Sequence, residues 1–339
     1  MGNPIDQPDI PFAHLVDLAQ PRLGSDVVFA TDEFFGDKSR LILPTEPVWI
    51  PDKYDDNGKW MDGWESRRRR EPGHDWCVLQ LGMPGVVRGI NIDTRHFIGN
   101  FPPYATVQAC VSPEMIPGDE TEWVDIVPRL ALKANLQHFV PVNDDTEFTH
   151  IKLNIFPDGG VARLRVYGVI QPDWSTFSRD EPVDVLALKH GGRALACNDE
   201  HFGTMYNLNA PGRGINMGDG WETRRRRDDG HDWVVLALGH AAHVDEVLID
   251  TAHFKGNYPD RVMLQAAGLP ADMRDDEAVA ASDQWNVLLP EKKLGPDAEH
   301  RFRKSVADIG PVTHVRMNIY PDGGVSRLRI LGRLAEIPE

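Results

Sequence analysis

The sequence predicts an all-β chain built as two tandem jelly-roll β-sandwiches, residues 1–172 and 173–339, and three observations carry that prediction. The two halves repeat one another, the apolar residues alternate with a period of two between Gly- and Pro-bearing turns, and long helical periodicity is absent. A chain of 339 residues also exceeds what one hydrophobic core usually serves.

The repetition comes in ordered blocks. Asp62-Gly63-Trp64-Glu65-Ser66-Arg67-Arg68-Arg69-Arg70 returns as Asp219-Gly220-Trp221-Glu222-Thr223-Arg224-Arg225-Arg226-Arg227, and Gly73-His74-Asp75-Trp76 as Gly230-His231-Asp232-Trp233. Asp93-Thr94-Arg95-His96-Phe97-Ile98-Gly99-Asn100 returns as Asp250-Thr251-Ala252-His253-Phe254-Lys255-Gly256-Asn257. The run from Thr149 to Arg165, including Pro157-Asp158-Gly159-Gly160, returns from Thr313 to Arg329. A weaker match links Asp32-Glu33-Phe34-Phe35-Gly36 to Asp199-Glu200-His201-Phe202-Gly203. The boundary falls in the polar, Pro- and Ser-containing stretch from Gln171 to Asp184. Lys38 to Gly58 is an insert in the first copy with no counterpart of similar length in the second.

Within a copy, Cys77 to Leu81 reads as a strand entering the turn Gly82-Met83-Pro84-Gly85, and Val86 to Ile92 as the strand running back. Ile151, Leu153 and Ile155, then Leu164 and Val166, mark two more strands. Asp184 to His190 has room for a turn or two of helix. The reversal at Gly82–Gly85 brings the block Glu65–Asp75 beside Asp93–Asn100, in loops at one end of the sandwich, where a rigid scaffold presents side chains to ligands.

Composition removes several function classes. A net charge of −16 argues against a large nucleic-acid footprint, because such binding neutralises phosphates. No apolar run is long enough to span a membrane, Met1 to Pro11 lacks a secretory pattern, and Glu336-Ile337-Pro338-Glu339 is not a peroxisomal address, so a cytoplasmic protein is expected. Cys77, Cys110 and Cys197 lack metal-type spacing and read as small apolar residues of a reducing compartment. No phosphate loop or serine-nucleophile motif is present. The sequence calls for no cofactor; His74, Asp93 and His96 span two loops and support a zinc site poorly, which leaves a divalent ion open and any metal ligands unknown.

The repeated polar residues are the candidate site. A four-arginine run commonly forms a solvated or ion-paired face. Beside Trp64, Glu65 and His74, one or two forked guanidiniums also suit a small carboxylate. His74, flanked by a carboxylate, has the chemistry of an acid or base near neutrality. Trp76 reads as core, Phe97 and Gly99 as packing and turn residues, and Asp93 either orders its loop or joins the chemistry.

Together these blocks resemble the allantoicase family, along nearly the whole chain and in both copies. The resemblance implies a pair of galactose-binding-like jelly rolls, a homo-oligomer, and hydrolysis of allantoate to ureidoglycolate and urea in purine breakdown. The residue types suit that chemistry. Allantoate carries one carboxylate and two ureido groups on a single carbon, so it needs a cationic anchor, partners for N–H and C=O groups, and an acid to protonate departing urea. The expected assignment gives acid/base work to Glu65 and His74, with Asp93 and His96 as alternates. It gives the carboxylate anchor to Arg67 or Arg163, and ureido contacts to Asn100 and Asp158. Glu222, His231, Asp250, His253, Arg224, Arg327, Asn257 and Asp322 repeat these roles. A non-catalytic ligand-binding module of the same sandwich type is the alternative. Arg95→Ala252, Phe34→His201 and the shorter loop before Asp219 leave open whether both copies turn over substrate.

Overall fold

The structure is a computed structural model that describes residues 10–13 and 15–335; most of the N-terminal stretch read for a secretory pattern, and the C-terminal tetrapeptide, lie outside them. The chain divides into two compact units between Gln171 and Pro172.

In the first unit the organising element is one 19-residue strand, Asp75–Asp93. Its first half pairs antiparallel with Glu147–Phe156 and with Asp26–Ala30. Its second half pairs with Arg163–Ile170 and Gln137–Pro141. Against Glu147–Phe156 the register jumps from Phe148↔Gly85 to His150↔Gln80, so the intervening residues form a corner that carries the strand from one layer into the other. The chain does reverse at Gly82–Gly85, as the sequence suggested. The expected hairpin does not form, because each half finds its partners in its own layer.

Gly82 shows why a corner is possible: a Cβ there would sit 2.1 Å from the Leu23 carbonyl oxygen, and at the matching Gly239 it would sit 1.7 Å from the His190 carbonyl oxygen. Tyr104–Cys110 and Val124–Ala131 extend the first layer, and Val16–Asp17 edges the second. Leu79, Val107, Ile151 and Leu153 from one layer and Ile90, Ile92, Leu164 and Val166 from the other are buried, forming the core between them.

The second unit repeats this plan around Asp232–Asp250, paired with Val312–Tyr320 and Arg327–Leu334. Asp184–His190 holds a short strand, Val183–Asp184, and a single 3₁₀ turn, Leu188–His190. One α-helix among the described residues, Asp275–Ala281, was not legible: at seven residues it is too short for a periodic signal, though its acidic first turn suits a helix N-terminus. Cys77 and Cys110 are buried and Cys197 partly so; burial pushes the Cys77 thiol up to about 12, leaving it a packing residue.

Candidate active site

Segment Pro157–Ala162 crosses one end of the first sandwich. The Asp75 amide donates to the Pro157 carbonyl at 3.1 Å, and the Ala162 amide to the Asp93 carbonyl at 2.8 Å. The two-residue strand Trp64–Glu65 pairs with Gly160–Val161 on this crossing. Trp64 is fully buried, and its indole N–H donates to the Asp32 carbonyl at 2.8 Å, which docks the Asp32–Gly36 block. Gly160 is required: a Cβ there would lie 1.9 Å from the Phe97 ring. Its amide instead donates to the Asn100 carbonyl at 2.7 Å.

That scaffold brings Glu65, Asn100 and His96 together. They line a cavity of about 340 Å³ with Phe35, Trp49, Lys59 and Met61. The Asn100 amide donates to Glu65 Oε1 at 2.6 Å. Glu65 is only 8% exposed. Burial pushes its carboxyl above the usual carboxylate range; the Asn100 hydrogen bond opposes that shift and the negative charge of Asp55 adds to it. His96 has a left-handed backbone, φ +71°. Its Nε2 donates to the Pro47 carbonyl at 3.0 Å, so a neutral His96 keeps its lone pair on Nδ1.

The other expected site residues are elsewhere or already engaged. His74 sits on the outer face of the first layer, donating to Asn154 Oδ1 at 3.3 Å with its ring 4.5 Å from that of Phe156; His231 makes the matching contacts with Asn318 and Tyr320. Neither histidine joins its repeat's glutamate. Trp76 shares that outer face, half-buried, rather than the core. Arg163 is 1% exposed, and its guanidinium is spent on Asp62, at 2.8 Å to the carboxylate, and on the carbonyls of Thr45, Asp62 and Ala162. Arg327 is held in the same way by Asp219, Ser326 and Gly212. These two arginines pin the loops before Trp64–Glu65 and Trp221–Glu222, with their guanidiniums turned to Asp62 and Asp219 and to backbone carbonyls.

Arg67 is exposed and ion-paired with Asp32, and Arg224 with Asp199. Asp158 accepts the Arg69 amide, and Asp322 the Arg226 amide, at 2.9 Å each, which makes them turn caps. Buried Asp93 is clasped by Arg95 at 2.6 Å. The mismatch at Ala252 is made good from another element, because Arg213 reaches Asp250 at 3.0 Å.

The residues that sequence comparison missed belong to the insert or directly follow it, as Lys59 and Met61 do. Trp49 and the Pro47 carbonyl come from it and Lys59 from its edge, and a repeat comparison is blind to a segment present once; the clustering of Trp49, Lys53 and Tyr54 within it and Lys59 and Trp60 just after it was the available signal. In the second unit the Glu222–Asn257 hydrogen bond persists, and His253, also left-handed at φ +70°, donates to the Gly214 carbonyl at 2.8 Å. There the shorter loop supplies Met217, whose sulfur meets the Asn257 amide at 3.9 Å. Among the described residues, no three His, Cys, Asp or Glu side chains cluster as a metal site would require.

Comparison with known proteins now bears on this geometry. The family model of the allantoicase repeat matches residues 16–171 and again 183–335. The chain belongs to the allantoicase family. A probable allantoicase from Pseudomonas syringae pv. syringae (strain B728a) is 51% identical over 96% of this chain and 98% of its own length, and probable allantoicase 1 from Burkholderia mallei (strain ATCC 23344) is 51% identical over 98% and 99%. The crystal structure of the allantoicase of Saccharomyces cerevisiae matches with a TM-score of 0.79 and 35% identity, covering 94% of this chain and 92% of that one. The family's repeats therefore coincide with the two sandwiches.

Proposed function

We propose that the chain hydrolyses allantoate to ureidoglycolate and urea, and that the Glu65 cavity of the first repeat is where the carbon–nitrogen bond breaks. Family membership supports the reaction, and the observation that carries the site is the buried Glu65 carboxyl, bonded to Asn100 inside a cavity that fits a small ureide.

Burial favours the protonated form of Glu65, which gives that proton to the departing ureido nitrogen as the C–N electron pair collapses onto it. The lone pair of the remaining ureido nitrogen forms the C=N bond. Water then adds to that carbon, the C=N pair returns to nitrogen, and Glu65, now a carboxylate, takes a proton from the water. Allantoate and water are consumed, ureidoglycolate and urea are released, and Glu65 ends protonated as it began. Asn100 holds the ureido carbonyl or N–H group, and His96 Nδ1 is the alternate base.

The reaction in this reading uses no metal, so exhaustive chelation leaves turnover intact; loss of urea release that Mg²⁺ or Mn²⁺ restores contradicts it. The same reading makes the protein a cytoplasmic homo-oligomer with no nucleic-acid or membrane partner. Light scattering and cell fractionation test those points, and no helix of the described residues is long and apolar enough to cross a membrane. Incubation with allantoate and measurement of urea separates the enzyme from the ligand-binding alternative: a protein that binds ureides but releases no urea is the module.

A further inference from the structure

We infer that Lys59 is the anchor for the substrate carboxylate, and that it makes the first repeat's cavity the productive one. This rests on the allantoate reading above.

A monoanion entering a protein of net charge −16 needs a local cation. None of the arginines in the shared blocks lines the cavity: Arg163 is buried against Asp62, Arg67 answers to Asp32, Arg69 to Asp75 and Arg95 to Asp93. Lys59 lines the cavity together with Glu65, His96 and Asn100. It ends a short hairpin, Tyr54–Asp55 against Gly58–Lys59, which Asn57 ties back to the Phe34 carbonyl at 2.7 Å. Its ammonium donates to the carbonyls of Ile50, at 2.7 Å, and Pro51, and lies 4.6 Å from the Trp49 ring centre and 4.9 Å from that of Tyr54.

Two carbonyls and two aromatic faces fix a cation there without neutralising it, and no carboxylate pairs with Lys59 among the described residues. An ammonium has three N–H donors, so one remains for a ligand. Anchored on Lys59, the substrate presents its central carbon and ureido groups toward Glu65 and Asn100.

The second repeat lacks this arrangement. At the spacing that relates Asp62 to Asp219, Lys59 becomes Asn216. Lys255 replaces Ile98 instead, but it is exposed and its charge falls on Asp297.

The test measures steady-state urea release from allantoate by wild type, Lys59→Met, Lys59→Arg and Lys255→Met. Methionine keeps an unbranched stem to pack on Trp49, and circular dichroism and melting curves check that each variant folds. Losing one charged hydrogen bond predicts a rise in KM of about ten- to a hundredfold for Lys59→Met, with kcat little changed and partial rescue in Lys59→Arg. Lys255→Met leaves both constants as in wild type. Ureidoacetate, a competing carboxylate, loses affinity in parallel, whereas its neutral relative ureidoacetamide does not.

An unchanged KM in Lys59→Met, equal loss of both inhibitors, or a KM rise in Lys255→Met matching that of Lys59→Met overturns the inference while the activity stands. If wild type releases no urea, the activity reading itself falls and takes this inference with it.

Discussion

The two repeats share a scaffold and differ in what surrounds its glutamate. In both, a buried tryptophan, Trp64 or Trp221, closes the sandwich end and donates to the Asp32 or Asp199 carbonyl. In both, a buried arginine pins the preceding loop and a glutamate meets an asparagine amide. The first repeat adds the insert around residues 38–58, which lays Trp49 and Lys59 beside Glu65; the second makes do with a short loop. Shared residues thus hold the architecture in both repeats, and the unshared ones set what else lines the first repeat's cavity. Even the mismatch at Ala252 fits this division, since Arg213 restores the ion pair that the scaffold needs.

Matched substitutions in the two repeats probe that division, in descending order of expected effect. Removing the guanidinium in Arg163→Met strands a buried Asp62 carboxylate and costs about 3–5 kcal/mol of stability, and Arg327→Met does the same through Asp219. Denaturant melts should show the two losses to be similar, and a loss in one repeat alone breaks the claim of a common scaffold. Arg95→Ala leaves Asp93 short of partners and costs about 1–3 kcal/mol. Arg213→Ala costs a similar amount, and Ala252→Arg added to Arg213→Ala recovers it if the two arginines are interchangeable solutions.

The smallest effect is pH-linked. The folded Glu65 carboxyl titrates above its unfolded value, so the folded state binds its proton more tightly. That stability is present below the unfolded value and is lost as pH rises through the folded one. Glu65→Gln removes this loss, so its melting temperature gains on wild type between acid and neutral pH. A difference that is flat with pH says Glu65 is not desolvated.

The duplication, the strands and the reversal at Gly82–Gly85 were legible because short strands declare themselves by alternation and repeats by identity. That the two halves of Asp75–Asp93 lie in different layers was not, because alternation describes one strand's faces and not its partners. His74 and Glu65 both belong to shared blocks ahead of the long strand Asp75–Asp93, yet one lies on the outer face of a layer and the other beside the cavity; nine residues of chain were enough to part them. Arg163 misled for a different reason. It lies in a run of consecutive buried residues, Gly160 to Leu164, where an arginine is a pin rather than a hand extended to ligand, and only its partners Asp62 and Thr45, distant in sequence, reveal that.

The central claim is that chemistry belongs to the first repeat's glutamate. Urea release from allantoate by folded Glu65→Gln and Glu222→Gln proteins tests it most directly. The account predicts a fall in kcat of about 10²–10⁴-fold for Glu65→Gln, the span of a lost general acid–base, against turnover near wild type for Glu222→Gln. Equal losses in the two variants, or a larger one in Glu222→Gln, would contradict it.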